Sequence, residues 1–133
     1  MERFRMELES LSKNEEFARV VVAVFLSRLD PTLEEIDDVK TAVSEAVTNA
    51  EIHGYGGEKG AITVEVETEG KELTVVVEDY GVGIRDVEKA MEPMFTTDKT
   101  GTRSGMGFSF MEVHVESEPG KGTKVVMRKQ IGR

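Results

Sequence analysis

"VVVEDYGVGIRD", residues 75–86, begins as a β-strand and ends as something a strand does not need. Three valines are followed by an acid, Asp79, and then by Gly81 and Gly83 around Val82. Alternation gives Asp79 the parity of Leu73, Val75 and Val77, so its carboxylate is expected to face the covered side of the sheet just where the strand stops. Two readings fit this D-x-G-x-G pattern taken alone. In one, Asp79 is a turn acid that accepts hydrogen bonds from nearby amides while the glycines supply positive φ. In the other, the carboxylate accepts from a buried donor of a ligand, and the glycines let a flat ring approach the backbone.

Working outward, "AITVEVE" and "ELTVVVED" alternate with period two about the turn "TEGK", which predicts an antiparallel hairpin. Near the end of the chain, "VHVES" and "TKVVMRK" flank "EPGKG" and predict a second hairpin. Residues 2–9 also alternate, with Phe4, Met6 and Leu8 on one face, and predict a first strand. Two helical patterns lie between that strand and the first hairpin. "SKNE", residues 12–15, has the spacing of a capping box, and Phe17, Val20, Val21, Val24 and Phe25 then recur at helical intervals to about Leu29. "DPTLEE" restarts the pattern. Pro31 suits a first helical turn, the acids complement the positive end of the dipole, and Leu33, Ile36, Val39, Val43, Ala46, Val47 and Ala50 form an apolar stripe that ends near "HGYGG". After Gly83 comes a charged stretch with a short helical segment at 86–91, and "PMFTTDKTGTRSGMGF" reads as a long loop of the kind that carries function. The order strand, helix, helix, hairpin, loop, hairpin predicts one α+β domain over residues 1–133. Its expected form is a two-layer α/β sandwich in which a mixed, mostly antiparallel sheet carries the helices on one face.

Composition narrows the function classes. A chain of 133 residues can bury a single core without a metal or disulfides to hold it. The absence of cysteine excludes disulfides, thiolate nucleophiles and cysteine zinc sites, and two histidines leave little room for a histidine-rich metal site. The longest aliphatic run, residues 20–26, is too short to cross a bilayer, and no targeting segment is visible, so a cytoplasmic chain without membrane contact is expected. A formal charge of −9 repels a phosphate backbone and favours a basic protein partner over nucleic acid.

Two further constellations carry chemistry. Glu45 and Asn49 are four apart on one helical face, which Thr41 and Asp38 extend, roughly opposite the valines. Such a stripe is either a solvated helix face, or an amide oxygen suited to Mg²⁺ beside a carboxylate that can orient or deprotonate an attacking hydroxyl. Gly105 and Gly107, in "RSGMGFSF", precede residues able to open a helix. They form either a plain loop or a set of amides that hold phosphate oxygens, though neither a Walker pattern nor a full dinucleotide fingerprint is present. His53 reads as a helix-end residue, His114 as an outward strand residue, and Met91, Met94 and Met106 as apolar filler near the glycine loop.

Taken in order, "SEAVTNAEIHG", "EDYGVGI", "FTT" and "SGMGF" resemble the GHKL ATP-binding family shared by histidine-kinase catalytic domains, type II topoisomerases, MutL-type ATPases and chaperone ATPases. The resemblance runs over about residues 29–129, and "LSKNEEFAR" extends it to nearly the whole chain. Within the family, "LDPTLEEIDDVKTAVSEAVTNA" and "FTT…RSGMGF" are most similar to the branch of sporulation anti-sigma factors that are also serine kinases. The resemblance implies ATP and Mg²⁺ as cofactors. By it, Asp79 accepts from the adenine amino group, Gly81 and Gly83 make room for the base, Asn49 is the Mg²⁺ ligand, and Glu45 is the general base for a serine hydroxyl of a protein substrate. Thr96, Thr97, Arg103, Ser104, Gly105, Met106 and Gly107 would surround the phosphates, with Arg103 neutralising charge in a largely electrostatic transition state. It further implies that helix one, through Arg19, contacts a sporulation sigma factor and an anti-anti-sigma substrate, and that the chain is a homodimer. One departure is plain. The family's helix after "SGMGF" continues for several residues that have no counterpart between Met111 and Val113, a change that bears on activity more than on ATP binding. Two alternatives stand beside this reading: a detached histidine-kinase ATP-binding domain, whose ending "ESEPGKGT" is similar, and a nucleotide-gated sigma-binding protein with weak catalysis.

Overall fold

The computed structural model describes residues 1–55, 60–81, 112–118 and 120–132. Along the chain run β1 (Glu2–Glu9), α1 (Lys13–Leu26), a 3₁₀ turn (Ser27–Leu29), α2 (Leu33–Asn49), a π-helical turn (Ala50–Gly54), β2 (Ala61–Glu69), β3 (Glu72–Asp79), β4 (Glu112–Glu118) and β5 (Gly122–Gln130). The strands form one sheet in the order β1-β2-β3-β5-β4. All four described ladders are antiparallel, so the parallel pairing of a mixed sheet is not found among the described residues.

Register separates the two faces of this sheet. Val64 lies opposite Val77, Val66 opposite Val75, and Val75 in turn opposite Met127, all of them buried on the side the helices cover. On the other side the register sets Arg5 opposite Glu65, and Lys124 between Glu78 and Glu116. Cross-strand pairs of opposite charge add a few tenths of a kcal/mol each and keep that face in water. The result is the one-sided alternation of an antiparallel sheet with a single covering layer.

The helices pack on each other and bury Ala18, Val22, Phe25 and Leu26 of α1 and Val39, Ala42, Val43, Ala46 and Val47 of α2. The inward face of α1 therefore differs from the expected stripe. Phe17 and Val24 remain 54% and 65% exposed, and Val20 is exposed with them. Ala18, one turn below Val22 on the helix, shares with it the face buried as α1 packs on α2, and that choice turns Phe17, Val20 and Val24 outward. Leu33 is 82% exposed because the first position of α2 falls to the flank of the face that Val39 and Val43 define.

The caps are also redistributed. Ser12 has helical backbone angles (φ −58, ψ −30) and makes no side-chain cap, because a hydroxyl on helical backbone does not reach the amides ahead of it. The capping box belongs to α2: Thr32 Oγ1 accepts from the Glu35 amide at 3.1 Å, and Glu35 Oε1 accepts from the Thr32 amide at 2.9 Å. Pro31 consequently precedes the cap and is not in the first turn. Among the described residues, no helix is long and apolar enough to cross a membrane.

Candidate functional site

Asp79 is the last residue of β3, opposite Ile62 on β2 and Thr123 on β5, and it is 3% exposed, as its parity predicts. Its Oδ1 accepts from the Gly81 amide at 2.9 Å. Burial pushes the carboxyl above the usual aspartate range; amide hydrogen bonds from Gly81 and Thr123 oppose this, and the nearby Glu78 charge reinforces it. The turn-acid reading is thus met, in a residue whose carboxylate also faces inward and is desolvated.

Gly122 shapes the same corner. It sits at φ +97, and a Cβ there would collide with the Asp79 carbonyl oxygen, so β5 passes the end of β3 only as glycine. Reading "EPGKG" as a hairpin turn did not single it out. The signal was present as a second glycine placed after the turn, at the first residue of the strand.

On α2, Glu45 and Asn49 lie one turn apart and both are half-buried. Burial raises the Glu45 carboxyl above its ordinary value. The stripe to which they belong is not the solvated one opposite the valines. Asp38, at its start, is buried and its Oδ2 lies 3.7 Å from Lys129 Nζ on β5. At 3.6 residues per turn, positions 38, 45 and 49 run along the edge of the sheet-facing side, next to Val39 and Ala46.

Beyond Asn49 the helix widens into the π-helical turn, and Tyr55 follows it. The Tyr55 hydroxyl donates to the Ala61 carbonyl at 2.6 Å and accepts from the Tyr80 amide at 2.8 Å. One side chain therefore ties the C-terminal end of the helix that carries Asn49 to the residue next to Asp79. Tyr55 was not singled out from "HGYGG", where an aromatic ring with a polar tip among glycines was the available signal. His53 falls in the π-helical turn, and His114 is an exposed strand residue with its Nε2 3.3 Å from Glu116. Arg19 is on α1, partly exposed, 3.3 Å from Glu15 and 3.8 Å from Glu16.

Gly81 closes this part of the site. Gly83, the 86–91 segment, Thr96, Thr97, Arg103, Ser104, Gly105, Met106 and Gly107, and the stretch up to Met111, lie outside the described residues. Among the described residues no group of three or more histidine, aspartate or glutamate side chains could hold a metal by itself. A donor set of one amide oxygen, Asn49, fits Mg²⁺ that takes its remaining ligands from phosphates and water.

Three comparisons bear on this arrangement. Residues 8–129 match the family model of the histidine kinase-like ATPase domain. The chain is 58% identical to the anti-sigma F factor of Clostridium acetobutylicum over 134 positions, covering 96% of this chain and 94% of that protein. It is 57% identical to that of a Thermoanaerobacter species, with 96% and 94% covered, and 52% identical to that of Clostridium kluyveri, with 94% and 92% covered. An alignment of 134 positions that takes in only 96% of a 133-residue chain leaves several residues of the relative without a counterpart here, in keeping with the shortened stretch. Among solved structures, the RsbU and RsbW domains of a Mycobacterium tuberculosis protein superpose with a TM-score of 0.69 at 19% identity. That match takes in the whole of this chain and about a third, 33%, of the other.

Proposed function

The chain belongs to the histidine kinase-like ATPase family and, within it, to the anti-sigma F factors, and from that premise we propose that it is an ATP-dependent protein-serine kinase that also sequesters a sporulation sigma factor. The observation that carries this reading is the likeness to anti-sigma F factors over almost the full length of both chains. The buried Asp79 carboxylate and the polar edge of α2 support its chemistry.

In this reading Asp79 accepts from the exocyclic amino group of adenine, a contact guanine cannot make because it presents a carbonyl there. Gly81 and Gly83 leave room for the ring. Asn49 holds Mg²⁺, and the glycine segment with Thr96, Thr97, Arg103, Ser104, Gly105, Met106 and Gly107 surrounds the phosphates. ATP supplies the phosphoryl group. Glu45, ionised, takes the proton of the substrate serine as its oxygen bonds to the γ-phosphorus and ADP leaves. The substrate is an anti-anti-sigma protein, the chain acts as a homodimer in the cytoplasm, and Arg19 on α1 contacts the partners. The exposed Phe17, Val20 and Val24 beside it supply the apolar area such contacts need.

A second reading, nucleotide-gated sigma binding with weak catalysis, is favoured by one observation, the residues present in the relatives and absent here. Incubation of the purified chain with labelled ATP and a candidate substrate decides between them. Acid-stable serine phosphate supports the kinase. No transfer, together with ATP-dependent capture of a sigma factor, supports the second reading, and phosphohistidine would overturn both in favour of a detached histidine-kinase domain.

A further inference from the structure

Tyr55 stands where the β2–β3 ladder stops. The last pair of that ladder is Ile62 with Asp79, and the same register sets Ala61 opposite Tyr80 as the next. Between those two a hydroxyl is inserted. The Tyr80 N–H donates to the Tyr55 oxygen at 2.8 Å, and the Tyr55 O–H donates on to the Ala61 carbonyl at 2.6 Å. A two-step relay spans more than the roughly 2.9 Å of a direct amide-to-carbonyl bond, so the strands are spread by a hydroxyl's width immediately beyond Asp79. The neighbourhood is built to hold the ring in place. A Cβ at Gly60 would run into the Tyr55 ring, and Gly60 is fastened to Ser10 at both ends, by the Ser10 amide to its carbonyl at 2.9 Å and by its own amide to Ser10 Oγ at 3.0 Å.

We propose that Tyr55 is a positioning residue for base recognition, whose phenol holds the end of β3 open and so sets where the Asp79 carboxylate stands. The inference rests on the reading of Asp79 as the acceptor for adenine. Without the hydroxyl, the Tyr80 amide and the Ala61 carbonyl are free to bond directly, the ladder acquires one more rung, and the backbone beside Asp79 is drawn toward β2. The hydroxyl bonds directly to the backbone beside Asp79, so the loss falls chiefly on discrimination between bases.

The test is Tyr55→Phe in the full chain, with ATP and GTP affinities measured by titration and folding checked by thermal unfolding. The expected result is a folded protein whose ATP affinity falls about three- to tenfold, the scale of one hydrogen bond, with GTP affinity changed less, so that the preference for ATP shrinks. A preference left intact, or equal losses for both nucleotides as from general loosening, overturns the proposal. If Tyr55→Phe does not fold, Gly60→Ala keeps the hydroxyl but displaces the ring. It carries the same expectation, and an unchanged preference in it is equally fatal. A wild-type chain that binds the two nucleotides alike overturns the reading of Asp79 itself, a result seen before any variant is made.

Discussion

Lys129 of β5 and Asp38 of α2 meet at 3.7 Å with side chains only 2% and 8% exposed. Lys129 lies opposite Leu73 on the helix-covered face of the sheet, so this is a charge pair inside the core and not a rim contact. Asp38→Ala leaves a buried ammonium without that partner and should cost about 3–5 kcal/mol. The double change Asp38→Leu with Lys129→Met, which removes both charges, should recover most of that loss. Urea unfolding of the single and double variants measures both.

The two helix starts should answer differently to the same kind of change. Thr32→Ala removes the hydroxyl that accepts from the Glu35 amide and should cost about 1 kcal/mol. Ser12→Ala should cost little, since Ser12 makes no side-chain cap. Denaturant midpoints at constant slope would show the difference, and equal losses would contradict the assignment of caps.

Glu35 also carries a pH dependence. Burial acts to raise its carboxyl, but hydrogen bonds from the Thr32 and Gly132 amides, with the Lys129 charge, hold it below the usual glutamate range. A depressed folded value means that the stabilisation is present above the unfolded pKa and is lost as pH falls through the folded one. Glu35→Gln should therefore flatten the acid limb of the stability curve while changing its neutral region less. Thermal unfolding as a function of pH is the measurement.

Gly122→Ala combines a positive φ with a collision against the Asp79 carbonyl. It should destabilise the fold by more than the roughly 1 kcal/mol that left-handed backbone alone costs a residue with a Cβ, and in whatever protein remains folded it should weaken ATP binding by displacing Asp79. Calorimetric unfolding and nucleotide titration test the two halves separately.

For Glu45 and Asn49 the expectations diverge. Glu45→Gln should leave ATP binding intact and lower phosphoryl transfer by about 10²-fold or more. Asn49→Ala should lower Mg²⁺-dependent nucleotide affinity along with transfer. Because burial raises the Glu45 carboxyl, the ionised base is lost at a higher pH than for an exposed glutamate. The transfer rate of the wild type should fall as pH drops through that raised value, and this limb should vanish in Glu45→Gln. Rate against pH, with Mg·ATP affinity measured in parallel, checks both residues.

What the sequence made legible follows from how local each signal is. Strand parity is a matter of counting by two, so the faces of β2, β3 and β5 and the inward aim of Asp79 could be read directly. Helix faces were less secure. A valine-rich helix such as α1 has apolar residues on several sides, and the packing partner, through Ala18 and Val22, chose among them. Asp38 and Lys129 were invisible as a pair because nothing within either segment refers to the other across 91 positions of chain. Tyr55 was missed for the same reason: its hydroxyl is explained by Ala61 and Tyr80, which only the folded register brings together.

The sheet order also governs how the chain can vary. Since β5 is antiparallel to both of its neighbours, β3 and β4 point the same way, and the chain that leaves β3 at Asp79 re-enters the sheet at Glu112, across from Arg128 and so level with Thr74. The two ends are thus separated by about 17 Å along the strands and by two strand spacings, about 10 Å, across them. The length of chain between them is otherwise a free variable. Closure entropy grows only with the logarithm of length, about 0.6 kcal/mol per doubling, and residues added or removed there break no rung of the described ladders. Each residue lost does shorten reach, by up to about 3.4 Å. Insertions and deletions between the two strands are therefore changes that the described ladders do not oppose.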